Sequence, residues 1–158
     1  MKKTAFILVI ILIIPLSVIR GQNLNSIFKE YGEQDDFEMV SINKMMMMFA
    51  GMFVEKDEKE LLSKISGVRI LTSESGKRQK SLMNDIKLVV NKEKFENLVK
   101  VRDKGEHLDI YYKEKENGKS DLLIVSSESS EVSVIWISGK LSKEELNEYQ
   151  EQFTHSEN

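Results

Sequence analysis

Between His107 and Ser138 the sequence changes period, and that change limits the folds open to the chain more than any other feature. HLDIYYKEK, SDLLIVSSE and EVSVIWIS each alternate apolar and polar residues, and only ENGK and SSESSE separate them. A period of two marks β-strands, and connections this short leave room only for consecutive antiparallel hairpins. In the last stretch Val134 and Trp136 point one way and Ile135 and Ile137 the other, so both faces are apolar. Such a strand belongs inside a sheet rather than at its edge.

Upstream, the period is mostly helical. LNSIFKEY sets Leu24, Ile27, Phe28 and Tyr31 at spacings of three and four, the apolar face of a short helix. FEMVSI, residues 37 to 42, alternates as a first strand, and GVRILT, residues 67 to 72, is a second. Between them KELLSKI reads as a helix, with Asp57 and Glu60 placed as a capping box. SLMNDIKLVV predicts a helix burying Leu82, Met83, Ile86, Val89 and Val90. KEKFENLVKV predicts another, capped by Asn91 and burying Phe95 and Leu98. LSKEELNEYQEQF closes the chain with the clearest local signal: Ser142 as cap, Glu145 three residues on, and Leu141 stapled to Leu146. The expected fold is a single α+β domain, an antiparallel β-meander with additional strands and helices packed on the sheet.

The chain opens MKKTAFILVIILIIPLSVIRGQN, two lysines ahead of a short apolar run and a small residue, the layout of a secretory signal peptide. The run of about fifteen residues is short for a membrane span, which needs about twenty. Cleavage is expected after Gly21, giving a signal over 1–21, a domain over 22–158 and an exported, periplasmic or envelope-associated product. Ile19 and Arg20 fit the cleavage pattern poorly, so an uncleaved anchor is the second reading. Lys2, Lys3 and Arg20 lie in the signal and no acidic residue does, so residues 22–158 are more acidic than the whole chain at net −3. An acidic domain is a poor candidate for nucleic acid, whose affinity rests on Lys and Arg. The chain has no cysteine, which excludes disulfides, thiolate metal sites and a lipid anchor on cysteine.

NKMMMMFAGMF, Asn43 to Phe53, holds five of the eight methionines. Neighbouring helical residues diverge by about a hundred degrees, so four consecutive thioethers cannot converge on one copper ion, and no cysteine or nearby histidine completes such a site. Met45, Met48, Phe49, Met52 and Phe53 form a stripe expected to face the core, with methionine filling irregular gaps. Met46, Met47 and Ala50 flank it or turn outward. The second reading is an apolar surface for a protein or lipid partner, with Met46 and Met47 as contacts and whichever tyrosine of Tyr111 and Tyr112 is exposed, assigned here to Tyr111, as an aromatic contact on the sheet.

The remaining candidates are weaker. His107 and His155 have no partner at ligand spacing, and the nearby Glu106 and Asp109 lack a nucleophile to serve. SESGKRQKS stands between a strand and a helix as a phosphate loop would, but Leu71 and Arg78 occupy the positions of the first glycine and the final Ser or Thr. Lys77, Arg78 and Lys80 remain as a possible anion contact at a helix start. No catalytic residue, metal ligand or cofactor is assigned.

Several stretches resemble one family. F-K-E-Y at 28–31, V-S-I-N-K-M-M at 40–46, K-F-E-N-L-V-K-V ahead of a strand with paired tyrosines, and I-S-G-K-L at 137–141 are similar to domain-of-unknown-function family 4252, exported proteins common in Bacteroidetes. The likeness covers nearly all of residues 22–158 but includes no catalytic signature, so no site residue carries over. It implies an envelope or periplasmic α+β domain, linked to envelope signalling. The functional expectation is a non-enzymatic interaction domain recognising an envelope protein or component. The alternative is a small-molecule or anion binder, or a small enzyme, with its site near residues 76–80.

Overall fold

The computed structural model describes residues 22–148 apart from Ser75. The proposed signal and His155 lie outside the described residues. Helix α1 (Leu24–Gly32) starts at a reciprocal cap: Ser26 N–H donates to Asn23 Oδ1 and Asn23 N–H donates to Ser26 Oγ, both at 2.9 Å. Its buried face is Leu24, Ile27, Phe28 and Tyr31, the predicted stripe. Strand β1 (Glu38–Asn43), helix α2 (Lys44–Ala50), helix α3 (Lys56–Lys64), strand β2 (Ile65–Ser73) and helix α4 (Gln79–Lys92) follow. Strands β3 (Glu96–Asp103), β4 (Glu106–Glu114), β5 (Ser120–Ser127) and β6 (Val132–Gly139) come next, and residues 143–148 are helical, α5.

All six strands join one antiparallel sheet in the order β1-β2-β6-β5-β4-β3. The meander therefore has four strands, and β6 lies in the interior as its two apolar faces require. The helix expected over residues 92–101 is instead β3. Asn91 is still inside α4, Lys94 takes a positive φ that ends the helical path, and Lys104 and Gly105, both at positive φ, form the two-residue turn of a hairpin into β4. That turn geometry matches the twist of paired strands. Asp57 is not the cap of α3 either, because the helix begins two residues earlier than expected, with Glu55 in the cap position and no side-chain cap bond there.

The ladder registers sort the strand residues onto two faces. Leu71, Val134 and Val125 lie side by side under α1 and α4, with Phe28, Ile27, Leu82, Ile86 and Val89, and this is the main core. On the opposite face a smaller cluster of Met47, Ile65 and Leu141 packs with Ile42, Val68, Ile137, Leu61, Leu62 and Leu146. α5 is fixed there by the predicted capping box: Glu145 N–H donates to Ser142 Oγ at 3.2 Å and Ser142 N–H donates to Glu145 Oε2 at 2.9 Å. The smaller cluster covers one end of that face only. The next row, Val40, Ile70, Ile135, Ile124, Ile110 and Val99, crosses all six strands, and none of the six is buried or belongs to either cluster.

Candidate interaction surface

The methionine segment folds as a helix of only seven residues. Asn43, the last residue of β1, caps it by accepting from Met46 N–H at 3.0 Å, and Gly51 ends it. Beyond Gly51, Met52 and Phe53 donate their N–H groups to Phe49 and Ala50 carbonyls in tight turns. Two turns of helix, tied to the sheet at one end, can rest on it by one side chain. That side chain is Met47, 8% exposed and packed in the smaller cluster.

This corrects two expectations. Met47, assigned to a partner contact, is a core residue. Met45, Met48, Phe49, Met52 and Phe53, expected to be core, stand between 61% and 88% exposed, and Met46 is 52% exposed. The spacing rule assumed a helix running on through Phe53 inside a core, but the helix ends at Ala50, and its neighbours β1, β2 and α3 leave every apolar side chain of the stripe exposed. Six large apolar side chains exposed within nine residues are far more than the singly scattered apolar residues of an ordinary surface.

Between α2 and α3 lies an open groove of about 390 Å³, lined by Met45, Met48, Phe49 and Met52, with Leu62 and Ile65 at its base and Lys44 and Lys59 as its charged members. Ser63 is its other polar member, and no carboxylate lines it. α5 braces α3 through Lys64, which pairs with Glu145 and, at 3.3 Å, with Glu60. The hydrogen bond from Lys64 holds the Glu145 carboxyl below its usual range, helped by the Ser142 N–H, and the same bond raises the Lys64 ammonium.

The other predicted site residues do not gather here. Tyr111 is half-buried against the main core, so it is no exposed aromatic contact, and burial raises its phenol, followed by the Asp109 charge. Tyr112 faces the other way, buried, and donates to the Leu141 carbonyl at 3.0 Å. Lys77, Arg78 and Lys80 are exposed. Arg78 donates to Gln34 Oε1, and Asp36 Oδ2 comes within 3.1 Å of where a Cβ on Gly76 would stand. A carboxylate that close to the loop opposes an anion there. His107 is exposed, while Asp109 is buried and bridged to Arg102 at 2.6 Å, so no His–Asp pair forms.

Sequence reasoning passed over Phe49 and Phe53 as surface residues and Lys59 as a member of the groove. The available signal was Gly51, eight residues beyond the Asn43 cap, where the helix ends after two turns. Among the described residues no group of three or more His, Asp or Glu could hold a metal, and no helix is long and apolar enough to cross a membrane.

No curated protein matches the chain, and no solved structure does. A family model does match, over residues 31–149, which takes in every strand, the methionine helix and the groove. With the expected α+β architecture in place, the chain belongs to the family described as Domain of unknown function (DUF4252).

Proposed function

We propose that this is an exported, non-enzymatic interaction domain that docks an apolar segment of an envelope protein on the α2 prominence and its groove. One observation carries the reading: six large apolar side chains are exposed to solvent, four on a short helix whose single inward residue already anchors it and two in the turns just after it. Methionines offer polarizable, adaptable contacts that fit more than one partner shape. Clustered exposed apolar side chains on soluble proteins mark places where something binds. Export rests on the basic, apolar and small residues of 1–21, and a link to envelope signalling rests on the family resemblance alone.

The test is a capture from envelope extract with the purified chain and with a Met48→Lys, Phe53→Lys variant. Both substituted residues are exposed, so the variant should melt within a few degrees of the parent. A partner retained by the parent and lost by the folded variant supports the reading. A partner retained equally by both moves the contact away from α2.

A further inference from the structure

The two edges of the sheet are built differently. The β3 edge carries exposed Lys100 and Arg102, ends at Asp103 just before Lys104, and breaks register between Asn97 and Val99. Inserted charge and a bulge are the devices that keep an edge from pairing with another chain. The β1 edge has neither: its register with β2 is unbroken from Glu38 to Asn43, and its interior is Met39, Val40, Ser41 and Ile42. Among the described residues β1 pairs with β2 alone, so its alternate backbone N–H and C=O groups point outward with no strand to meet them.

The ends of β1 also differ in charge. At its start a depression of about 230 Å³ is lined by Asp35, Asp36, Glu38, Glu74 and Glu131. At its finish stand Lys44 and Lys59, with no acidic residue lining their groove. An antiparallel neighbour of the same sequence would set the acidic end of each strand beside the basic end of the other. We infer that β1 is a self-pairing edge, through which two copies of this chain join antiparallel about a two-fold axis into one continuous sheet.

The register follows from symmetry, since a two-fold axis perpendicular to the sheet must pass opposite one residue and its own copy. Centred on Ser41, it places Val40 beside the partner's Ile42 on the open face and brings Glu38, at the start of each strand, toward the partner's Lys44, the first helical residue after it. Each of these pairs occurs twice. Cross-strand apolar and opposite-charge pairs of this kind are what stabilise a ladder. This goes beyond the reading of α2 as a docking surface, because the pairing uses the strand edge and leaves Met46, Met48 and Phe53 to another partner.

The experiment is directed cross-linking with sedimentation equilibrium. The chain has no cysteine, so Ser41→Cys introduces a single thiol at the two-fold centre, where opposed Cα atoms lie roughly 4.5–5.5 Å apart, within disulfide reach. Mild oxidation should give a linked dimer from Ser41→Cys and none from Lys100→Cys on the other edge. Glu38→Lys or Lys44→Glu alone should weaken the dimer about tenfold, and the two together should restore it. A chain that stays monomeric up to about 1 mM overturns the inference. So does a dimer indifferent to both charge reversals, or one that Ser41→Cys fails to link. If Met48→Lys dissolves the dimer while the charge reversals do not, copies meet through α2 and the β1 edge is not the interface.

Discussion

Along β6, Val134 is fully buried beneath α1 and α4, while the next residue, Ile135, points to the opposite face and packs with neither cluster. The same contrast runs across the sheet. On one face Leu71, Leu123, Val125, Val132 and Val134 are buried in one cluster with the helices. On the other, a short helix, the end of α3 and the start of α5 cover a single row, and the next row of branched aliphatics remains half-open. The difference shows that strand sequence sets which residues can form a core, while the covering helices decide which of them do. Both faces carry Val, Ile and Leu, but only one lies under helices whose buried stripes, Leu24, Ile27, Phe28 and Tyr31 of α1 and Leu82, Ile86, Val89 and Val90 of α4, belong to one core.

The largest test of that contrast is a large-to-small change under the helices. Phe28 is 1% exposed, packs at 5.7 Å between ring centroids from Trp136, and sits at the centre of the main core. Phe28→Ala is expected to cost about 3–5 kcal/mol, read from the denaturant midpoint. A cost near that of a surface substitution would mean the helix-covered face is no better packed than the open one.

The methionine helix gives the next. Met47→Lys places an ammonium among Ile65, Leu141 and Leu62, where it has no partner, and is expected to cost about 2–4 kcal/mol. Met46→Lys, one residue away and exposed, should stay within about 0.5 kcal/mol. Equal costs would show that α2 is rotated from the position described.

A smaller effect is tied to pH. Tyr31 donates to Asp85 Oδ2 at 2.7 Å, linking α1 to α4, and burial, followed by that carboxylate, raises its phenol well above the usual value. Because the folded-state value is raised, this stabilisation is whole below the unfolded tyrosine value of about 10 and is lost as pH climbs through the folded one. Tyr31→Phe should cost about 1–2 kcal/mol at neutral pH and remove part of the alkaline fall in stability. A parent and variant with parallel profiles above pH 10 would place the phenol in water rather than between the helices.

How much of this was legible in sequence depends on whether a signal was local. Period-two runs placed β4, β5 and β6, and spacings of three and four placed α1 and α4, because in each case the buried side is also the apolar side. The Ser142 and Glu145 cap reads equally well, since both partners lie within one turn. β3 was mistaken for helix because Phe95, Leu98 and Val99 suit either period, and the decisive Lys104–Gly105 turn lies outside that window. The methionine helix failed for a different reason. Its composition says core, but what covers it is decided by the path of β1, α3 and β2, none of which is written in residues 43–53. The candidate surface was thus named in sequence only as a second reading, with Met46 on the right side of the helix and Met47 on the wrong one.

The finest version of the comparison uses neighbouring residues of one strand. Val134→Thr exchanges a methyl for a hydroxyl at the floor of the main core, where α1 and α4 exclude water and no strand partner is free, so about 1–3 kcal/mol should be lost. Ile135→Thr keeps the branched shape that suits a strand and sets its hydroxyl toward solvent on the open face. Its expected cost is below about 1 kcal/mol, measured by the same denaturant titration. A ratio near one would mean the row from Val40 to Val99 is covered in solution. The purified chain's dependence on concentration would then separate the two sources of cover. A cost at Ile135 that shrinks with dilution comes from a second copy, and one that does not change comes from the chain itself.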